Sequence, residues 1–184
     1  MHCNAAWQSF LQHADEASLK ELFVSMYGPL YAYSVKITHD PVKAEDAVQE
    51  VFFNLWKYRK RLNAGASPLP YLLRAVRNEA LRMIKKFGHH ESLDEAASQI
   101  VFLPQEFQDE TLDSAERQVV VDSMNRLAPR QREILYLRFY EDLCFEDIAN
   151  VLNINYQSAV NQAFRAISKL RKMEVFNRTS FFVY

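Results

Sequence analysis

The sequence predicts an all-α protein with two small helical domains joined by a flexible acidic linker. Only 3 glycines and 6 prolines occur among 184 residues, too few for the many tight turns of a β-sandwich or barrel. Apolar residues recur at helical spacing in two stretches, and a polar stretch without this periodicity separates them. A hydrophobic share of 49% with 24% charged residues indicates a globular chain and excludes a disordered one.

The net charge of −1 conceals two basic blocks on either side of an acidic one. Residues 71–90 carry five lysines and arginines and one carboxylate, and residues 150–184 repeat this balance. Residues 91–122 between them carry nine carboxylates and one arginine. Scattered surface charge is one reading of this pattern, but the segregation favours two modules that face a polyanion.

The first module is expected to span residues 18–88, after an N-terminal extension of residues 1–17. Its first helix should be interrupted at Gly28-Pro29. The next helix has the clearest start, because Asp40 is a good N-cap and Pro41 suits the first helical position. Its apolar residues fall on one stripe that predicts a buried face. That stripe comprises Ala44, Ala47, Val48, Val51, Phe52 and Leu55.

This helix should end at about Arg61, where a loop over Asn63–Pro70 begins. Another helix is expected over Tyr71–Phe87, with Gly88 as its C-terminal stop. Residues 89–112 lack periodicity, so they are predicted to be the linker.

The second module is expected over residues 113–175. It opens with the capping-box pattern of Asp113 and Glu116, and Pro129 starts a helix that continues to about Tyr140. A short helix over residues 144–152, a turn at Asn153 and a longer helix over Tyr156–Lys172 have the order of a helix-turn-helix at about residues 145–164. The C-terminal tail, residues 176–184, ends in the apolar Phe181–Tyr184, to which the sequence assigns no role.

Motifs of catalysis are absent from the sequence. It has no glycine-rich phosphate loop, no nucleophile elbow and no Cys/His metal spacing, so no catalytic residue, metal, cofactor or small-molecule substrate is predicted. The pair His89-His90 is interpreted as exposed loop residues. The absence of these motifs predicts that the protein is not an enzyme. Two cysteines, no signal-like start and no bilayer-length apolar run predict a reduced, soluble, cytoplasmic protein.

A second face of the helix from Pro41 carries three polar residues and one aromatic residue. Their spacing of i, i+3, i+4 and i+7 places them on one stripe. A solvated face and a docking face for a basic partner are both compatible with this pattern. The stripe comprises Asp46, Gln49, Glu50 and Phe53.

Several segments resemble a known family in the right order. Asp40–Trp56 resembles the core-binding motif of region two of bacterial sigma factors, and Tyr71–Asn78 resembles the promoter-melting segment that follows it. Leu127–Glu133 and Phe145–Ala149 resemble region four. The order, spacing and size match the extracytoplasmic-function class over about residues 18–172.

The resemblance implies a subunit that binds core RNA polymerase and directs promoter recognition, melting and initiation. The core-binding motif, residues 43–56, would dock Asp46, Gln49, Glu50 and Phe53 on the clamp helices of the largest polymerase subunit. The linker would thread toward the active-site cleft, and the second domain would bind the polymerase flap. The melting segment, residues 71–86, would contribute Tyr71, Arg74, Arg77, Arg82, Lys85 and Lys86.

The last helix would read the upstream promoter element. Its matching stretch is Ala159–Ala163, where many family members carry a Thr-Val-Lys-Ser-Arg-like run, so two basic residues are missing. A further resemblance, to the iron-citrate-type branch, implies control by a membrane-bound anti-sigma regulator. The residues expected on promoter DNA are Gln157, Ser158, Asn161, Gln162, Arg165 and Lys169.

Two other functions remain open at this point. A stand-alone helix-turn-helix regulator would bind operators without polymerase, but it would leave the first module without a role. A polymerase-docking adaptor that has lost promoter reading would explain the missing charges of the last helix.

Overall fold

The computed structural model describes residues 2–62, 67–87, 100–103 and 113–172. Regular structure within these ranges is entirely helical, which confirms the all-α prediction. The chain divides into two compact units, one formed mainly by residues 1–96 and the other mainly by residues 97–184. The α-helices are α1 (His2–His13), α2 (Glu16–Thr38), α3 (Pro41–Tyr58), α4 (Pro68–Phe87), α5 (Ser114–Asn125), α6 (Pro129–Phe139), α7 (Phe145–Leu152) and α8 (Tyr156–Arg171).

The first unit begins with a helix in the predicted N-terminal extension. Helix α1 packs against α2 and α4, and its Ala6, Trp7 and Phe10 are at most 1% exposed. A new cap then starts α2, because Oδ1 of Asp15 accepts a hydrogen bond from the backbone N–H of Ser18 at 2.8 Å. The core of this unit therefore begins well before residue 18.

Helix α2 is continuous, so the predicted interruption at Gly28-Pro29 is wrong. A proline ring clashes with the Cβ of the preceding residue in a helix, and Gly28 has no Cβ. A buried stripe runs past the proline on both sides and holds the helix in place by packing. It comprises Leu22, Met26, Leu30, Tyr33 and Ile37, each at most 1% exposed.

The predicted start of α3 is confirmed. Oδ1 of Asp40 accepts hydrogen bonds from the backbone N–H groups of Val42 at 3.0 Å and Lys43 at 3.2 Å, and Pro41 is the first helical residue. All six residues of the predicted stripe are buried. Helix α3 ends at Tyr58, and a 3₁₀ turn, Arg59–Arg61, follows it.

Helix α4 begins at Pro68, three residues before the predicted start. A proline is tolerated in the first turn because the N–H that it lacks would have no partner inside the helix. Pro68 and Pro70 both lie in that turn, so they belong to the helix instead of the loop. The predicted stop at Gly88 lies outside the described residues.

The predicted helix-turn-helix is formed by α7 and α8, which belong mainly to the second unit. The capping box between Asp113 and Glu116 is confirmed at the start of α5. Asn153, in the turn between α7 and α8, has a φ of 53°, in the left-handed region that asparagine tolerates. Asn155 then caps α8, because its Oδ1 accepts a hydrogen bond from the N–H of Ser158 at 2.7 Å.

A short part of the predicted linker packs in the second unit. The side chain of Asn125 accepts a hydrogen bond from the N–H of Phe102 at 2.9 Å and donates one to its carbonyl at 3.0 Å. Ile100 and Phe102 are fully buried, and the ring of Phe102 lies 5.8 Å from that of Tyr140. We call this pair of hydrogen bonds the Asn125 clamp. The rest of the predicted linker and the tail Phe181–Tyr184 lie outside the described residues.

Candidate functional site

Most of the predicted face of α3 is exposed. Asp46, Gln49 and Phe53 are exposed, with 59% of Phe53 accessible, and Glu50 is half-buried. The amide of Asn54 donates to Oε1 of Glu50 at 3.2 Å, which orients that carboxylate by an i, i+4 contact. The face therefore offers hydrogen-bond acceptors and one apolar ring to a partner, and its ring lies away from the buried stripe.

Helix α4 carries an exposed, mostly basic face. Four of the residues predicted for the melting segment lie on it, at a spacing of three or four residues. Nε of Arg82 donates to both carboxylate oxygens of Glu79, at 3.0 and 3.1 Å, which raises the pKa of Arg82 above its ordinary value. The face comprises Tyr71, Arg74, Asn78, Arg82 and Lys85.

Sequence reasoning missed Asn78 and misplaced Arg77. Arg77 is only 7% exposed, because positions i, i+4 and i+8 put it on the buried stripe with Leu73 and Leu81. The prediction that Arg77 presents its guanidinium to phosphates is therefore wrong. The side chain of Lys86 lies outside the described residues.

A cavity of about 140 Å³ lies between α3 and α4, beside the basic face. Tyr58 and Tyr71 line it together with Asn54 and Glu79. The ring of Tyr71 lies 5.7 Å from that of Trp7, yet the residue is 40% exposed. Tyr71 therefore takes part in packing and still presents ring surface to a ligand.

The first turns of α8 present a polar face in the second unit. Gln157 and Asn161 are exposed, and the amide of Gln157 donates to Oδ1 of Asn161 at 3.0 Å. Arg165 and Lys169 are exposed further along the helix. Ser158 is half-buried.

Gln162 is held against helix α6. The amide of Gln131 donates to its Oε1 at 3.3 Å, and Gln162 is half-buried. Two aromatic rings on α8 that the sequence analysis did not single out are exposed: Phe164 is 71% and Tyr156 is 48% exposed. The exposure of Phe164 could have been predicted from helical spacing, because Phe164 does not lie on the buried stripe that contains Ala163 and Ala166.

Buried charge in the second unit has a structural role. Glu133 is 1% exposed and pairs with Nη1 of Arg130 at 3.3 Å. Burial raises the pKa of Glu141, although the hydroxyl of Tyr136 donates to its Oε1 at 3.1 Å.

In the part of the chain that the structure describes, no group of three or more histidines, cysteines and carboxylates could hold a metal ion. The described helices are also too short or too polar to cross a membrane.

Two family models match the chain, one on each unit. The model of sigma-70 region 2 matches residues 22–89, and that of sigma-70 region 4 matches residues 123–172. The first match contains the exposed faces of α3 and α4, and the second contains the helix-turn-helix.

Several curated proteins are similar in sequence. The chain is 26% identical over 144 residues to a probable RNA polymerase sigma factor, RfaY, of Xanthomonas campestris pv. campestris, covering 76% of this chain but only 36% of that protein's length. It is 25% identical to the RNA polymerase sigma factor CarQ of Myxococcus xanthus, covering 90% of this chain and 94% of CarQ. It is 22% identical to the ECF RNA polymerase sigma factor SigL of Mycobacterium tuberculosis, covering 86% and 89%.

Two solved structures share the fold. CnrH, in complex with the cytosolic domain of CnrY, has a TM-score of 0.60 at 16% identity and covers 93% of this chain and 95% of that one. The sigma factor RpoE of Bartonella quintana, in complex with the anti-sigma factor NepR, has a TM-score of 0.58 at 20% identity and covers 86% and 96%.

Proposed function

This chain belongs to the extracytoplasmic-function class of the sigma-70 family, and from this premise we propose that it binds core RNA polymerase and directs promoter recognition, melting and transcription initiation. The observation that carries the proposal is the match of both family regions, in order, to two units that each expose a candidate binding surface. The chain would act by binding and positioning, and the polymerase would supply the catalytic chemistry.

The exposed face of α3 would dock on the clamp helices of the largest polymerase subunit. Its carboxylates would pair with basic groups of the partner and guide the approach. Phe53 would lose its accessible surface in the contact, as aromatic residues at the centre of an interface commonly do. The orienting hydrogen bond from Asn54 would reduce the entropy that Glu50 loses on binding.

The exposed face of α4 would contact the melted promoter. Arg74 would neutralise a phosphate, and an unpaired base would stack on the accessible part of Tyr71 at the cavity, a contact worth about 1–3 kcal/mol. Asn78, which lies on the exposed face, would make the DNA contact that the sequence analysis predicts for Arg77. Arg82 and Lys85 would extend the basic surface along the same face.

The first turns of α8 would read the upstream promoter element. Gln157 and Asn161 carry amides that fit adenine edges, and Phe164 would contact a thymine methyl group. Arg165 and Lys169 would bind phosphates. Gln162 would help to hold this surface in position through its hydrogen bond with Gln131. The second unit would also bind the polymerase flap.

An anti-sigma regulator is a further expected partner. The two similar solved structures are complexes with the cytosolic domain of CnrY and with the anti-sigma factor NepR. Because this chain shares their fold, we expect a regulator of this kind to bind it and to prevent initiation until transcription is required.

Run-off transcription tests the proposed function. Core polymerase with the chain should produce a transcript from a cognate promoter, and core polymerase without it should not. Tight promoter selection by the free chain at physiological salt would identify a stand-alone regulator instead. Binding to polymerase without any transcript, over a promoter library, would identify an adaptor.

A variant of the α4 face sharpens this assay. Tyr71→Ala/Arg74→Ala should assemble with core polymerase normally but give less transcript from duplex promoter, and a pre-melted template should partly restore it. Lys20→Ala, at an exposed position of α2, is the control. An equal loss on duplex and pre-melted templates would contradict a role in melting.

Substitutions in α8 should separate base reading from phosphate binding. In the assembled holoenzyme, Asn161→Ala should relax base choice at one position of the upstream element. Arg165→Ala should weaken all promoters alike and lower the salt slope of binding by about 0.9, as expected for one duplex phosphate contact. Competition binding with promoter variants at several salt concentrations measures both effects. Equal discrimination by Asn161→Ala and the unchanged chain would show that this amide reads no base.

A further inference from the structure

The side chain of Gln131 connects the start of α6 with the helix that would read the promoter. Gln131 is only 4% exposed, and α6 packs against α8. Its Oε1 accepts a hydrogen bond from the backbone N–H of Ala128 at 3.4 Å. Its Nε2 donates to Oε1 of Gln162, on α8, at 3.3 Å. A fixed backbone group at the start of α6 is therefore linked through one buried amide to a side chain of α8.

The N–H of Ala128 determines the direction of both amides. The oxygen of a glutamine amide only accepts hydrogen bonds, and its nitrogen only donates them. A backbone N–H can only donate, so the atom of Gln131 beside it must be the oxygen. The nitrogen of Gln131 then faces Gln162, and only the oxygen of Gln162 can accept from it. The orientation of the Gln162 amide therefore follows from the backbone of another helix.

The amide nitrogen of Gln162 is left for a partner. Among the described residues, this side chain makes one hydrogen bond, the one that its oxygen accepts. Gln162 is half-buried and shares a stripe with the exposed Arg165 and Lys169, at positions i, i+3 and i+7. It therefore lies beside the proposed phosphate-binding side chains, with its oxygen held by α6 and two N–H donors unused.

An amide that can only donate selects bases by their acceptors. In the major groove guanine presents two acceptors, O6 and N7, whereas cytosine presents the N4 donor. The usual pairing of glutamine with adenine requires both amide atoms, the nitrogen on N7 and the oxygen on N6. The oxygen of Gln162 is already engaged, so this pairing is not available to it. Guanine is therefore the base that offers most to the free N–H groups.

We propose that Gln131 is a positioning residue that restricts Gln162 to reading a guanine edge in the upstream promoter element. This inference rests on the proposed function and deepens it, because it assigns a base to one side chain of α8. Gln131 makes no DNA contact of its own in this arrangement. It acts on base choice only through the direction of the Gln162 amide.

The test is a substitution that keeps the shape of Gln131 and reverses one hydrogen bond. In Gln131→Glu both side-chain oxygens accept, so one keeps the N–H of Ala128 and the other attracts the nitrogen of Gln162. The oxygen of Gln162 then faces the DNA and should accept from cytosine N4 or adenine N6. The preference for guanine at one position should become a preference for cytosine or adenine.

The measurement is competition binding by the full chain assembled with core polymerase, on promoters that carry each base at each position of the upstream element. Gln162→Ala identifies the position, because only there should it abolish the preference. The unchanged chain should favour guanine over cytosine at that position by about 10-fold, within the range of a bidentate contact. Gln131→Met has a similar length but cannot hold the amide, so it should relax the choice between guanine and adenine.

Ala128→Glu is the matched control for charge. It adds one negative charge at an exposed position three residues from Gln131 and keeps both hydrogen bonds of that side chain. It should weaken binding to all promoters alike and retain the preference for guanine. A loss of affinity shared by Gln131→Glu and this control is thus separated from a change of base choice.

Three results would overturn the inference. The first is a guanine preference that Gln131→Glu or Gln131→Met retains. The second is a Gln162→Ala holoenzyme with the base choice of the unchanged chain at every position. Both results leave the proposed function intact, because the holoenzyme still selects a promoter. Failure of the unchanged chain to direct polymerase to any promoter would remove the proposed function together with this inference.

Discussion

Core polymerase should bind the variant Asp46→Ala/Gln49→Ala/Glu50→Ala at least about 30-fold more weakly than the unchanged chain. A loss of about 30-fold in affinity corresponds to a loss of about 2 kcal/mol of binding free energy, which is the effect of truncating a single interface hot spot. Asp46 and Gln49 are exposed and Glu50 is half-buried, so the free energy of unfolding should change by only about 0.5 kcal/mol. Equilibrium binding to core polymerase, with thermal unfolding in parallel, measures both quantities.

The matched control also removes two carboxylates and one amide, but from other exposed positions of the first unit, as Gln12→Ala/Glu16→Ala/Glu21→Ala. It should bind polymerase normally. Normal binding by the α3 variant would show that this face is merely solvated. Phe53→Ala adds an independent check, because it removes the exposed ring without changing any charge.

The second large effect is on stability. Trp7→Ala should lower the free energy of unfolding by about 3–5 kcal/mol, because it leaves a cavity where α1 packs against α2 and α4. Urea unfolding measures the loss, and Gln8→Ala, at the exposed neighbouring position, should have almost no effect.

Trp7→Phe distinguishes the loss of packing from the removal of the indole N–H at the same position. The Nε1 of Trp7 is buried and has no hydrogen-bond partner among the described residues. Phenylalanine keeps an aromatic ring and removes this N–H, so its loss of stability should be well below that of alanine. A Trp7→Ala variant as stable as the unchanged chain would show that α1 does not contribute to the core.

Signals that act within a few residues could be read from the sequence. The Asp40 cap with Pro41, the capping box of Asp113 and the left-handed Asn153 depend on local backbone chemistry, and the structure confirms all three. The buried stripe of α3 and its exposed opposite face follow from helical spacing in the same way.

Features that depend on distant packing could not be read in this way. The buried stripe of α2 overrides the local effect of Pro29, and Trp7 gains its burial only from α2 and α4. Charge is also a poor guide to the direction of a side chain, since Arg77 shares a stripe with Leu73 while Arg74 is exposed. The cavity arises where α3 and α4 meet, so no single segment of the sequence predicts it.

The Asn125 clamp sets the length of the tether between the two units. With the chain fastened at Phe102, the residues between α4 and Ile100 are 88–99, and twelve residues span at most about 40 Å. With the clamp open, the tether would extend to Asp113, and its 25 residues would span at most about 85 Å. A shorter tether raises the effective concentration of one unit at the other's binding site, provided that it can span the gap. Any arrangement on polymerase that separates the end of α4 from Ile100 by more than the shorter span therefore requires this clamp to open.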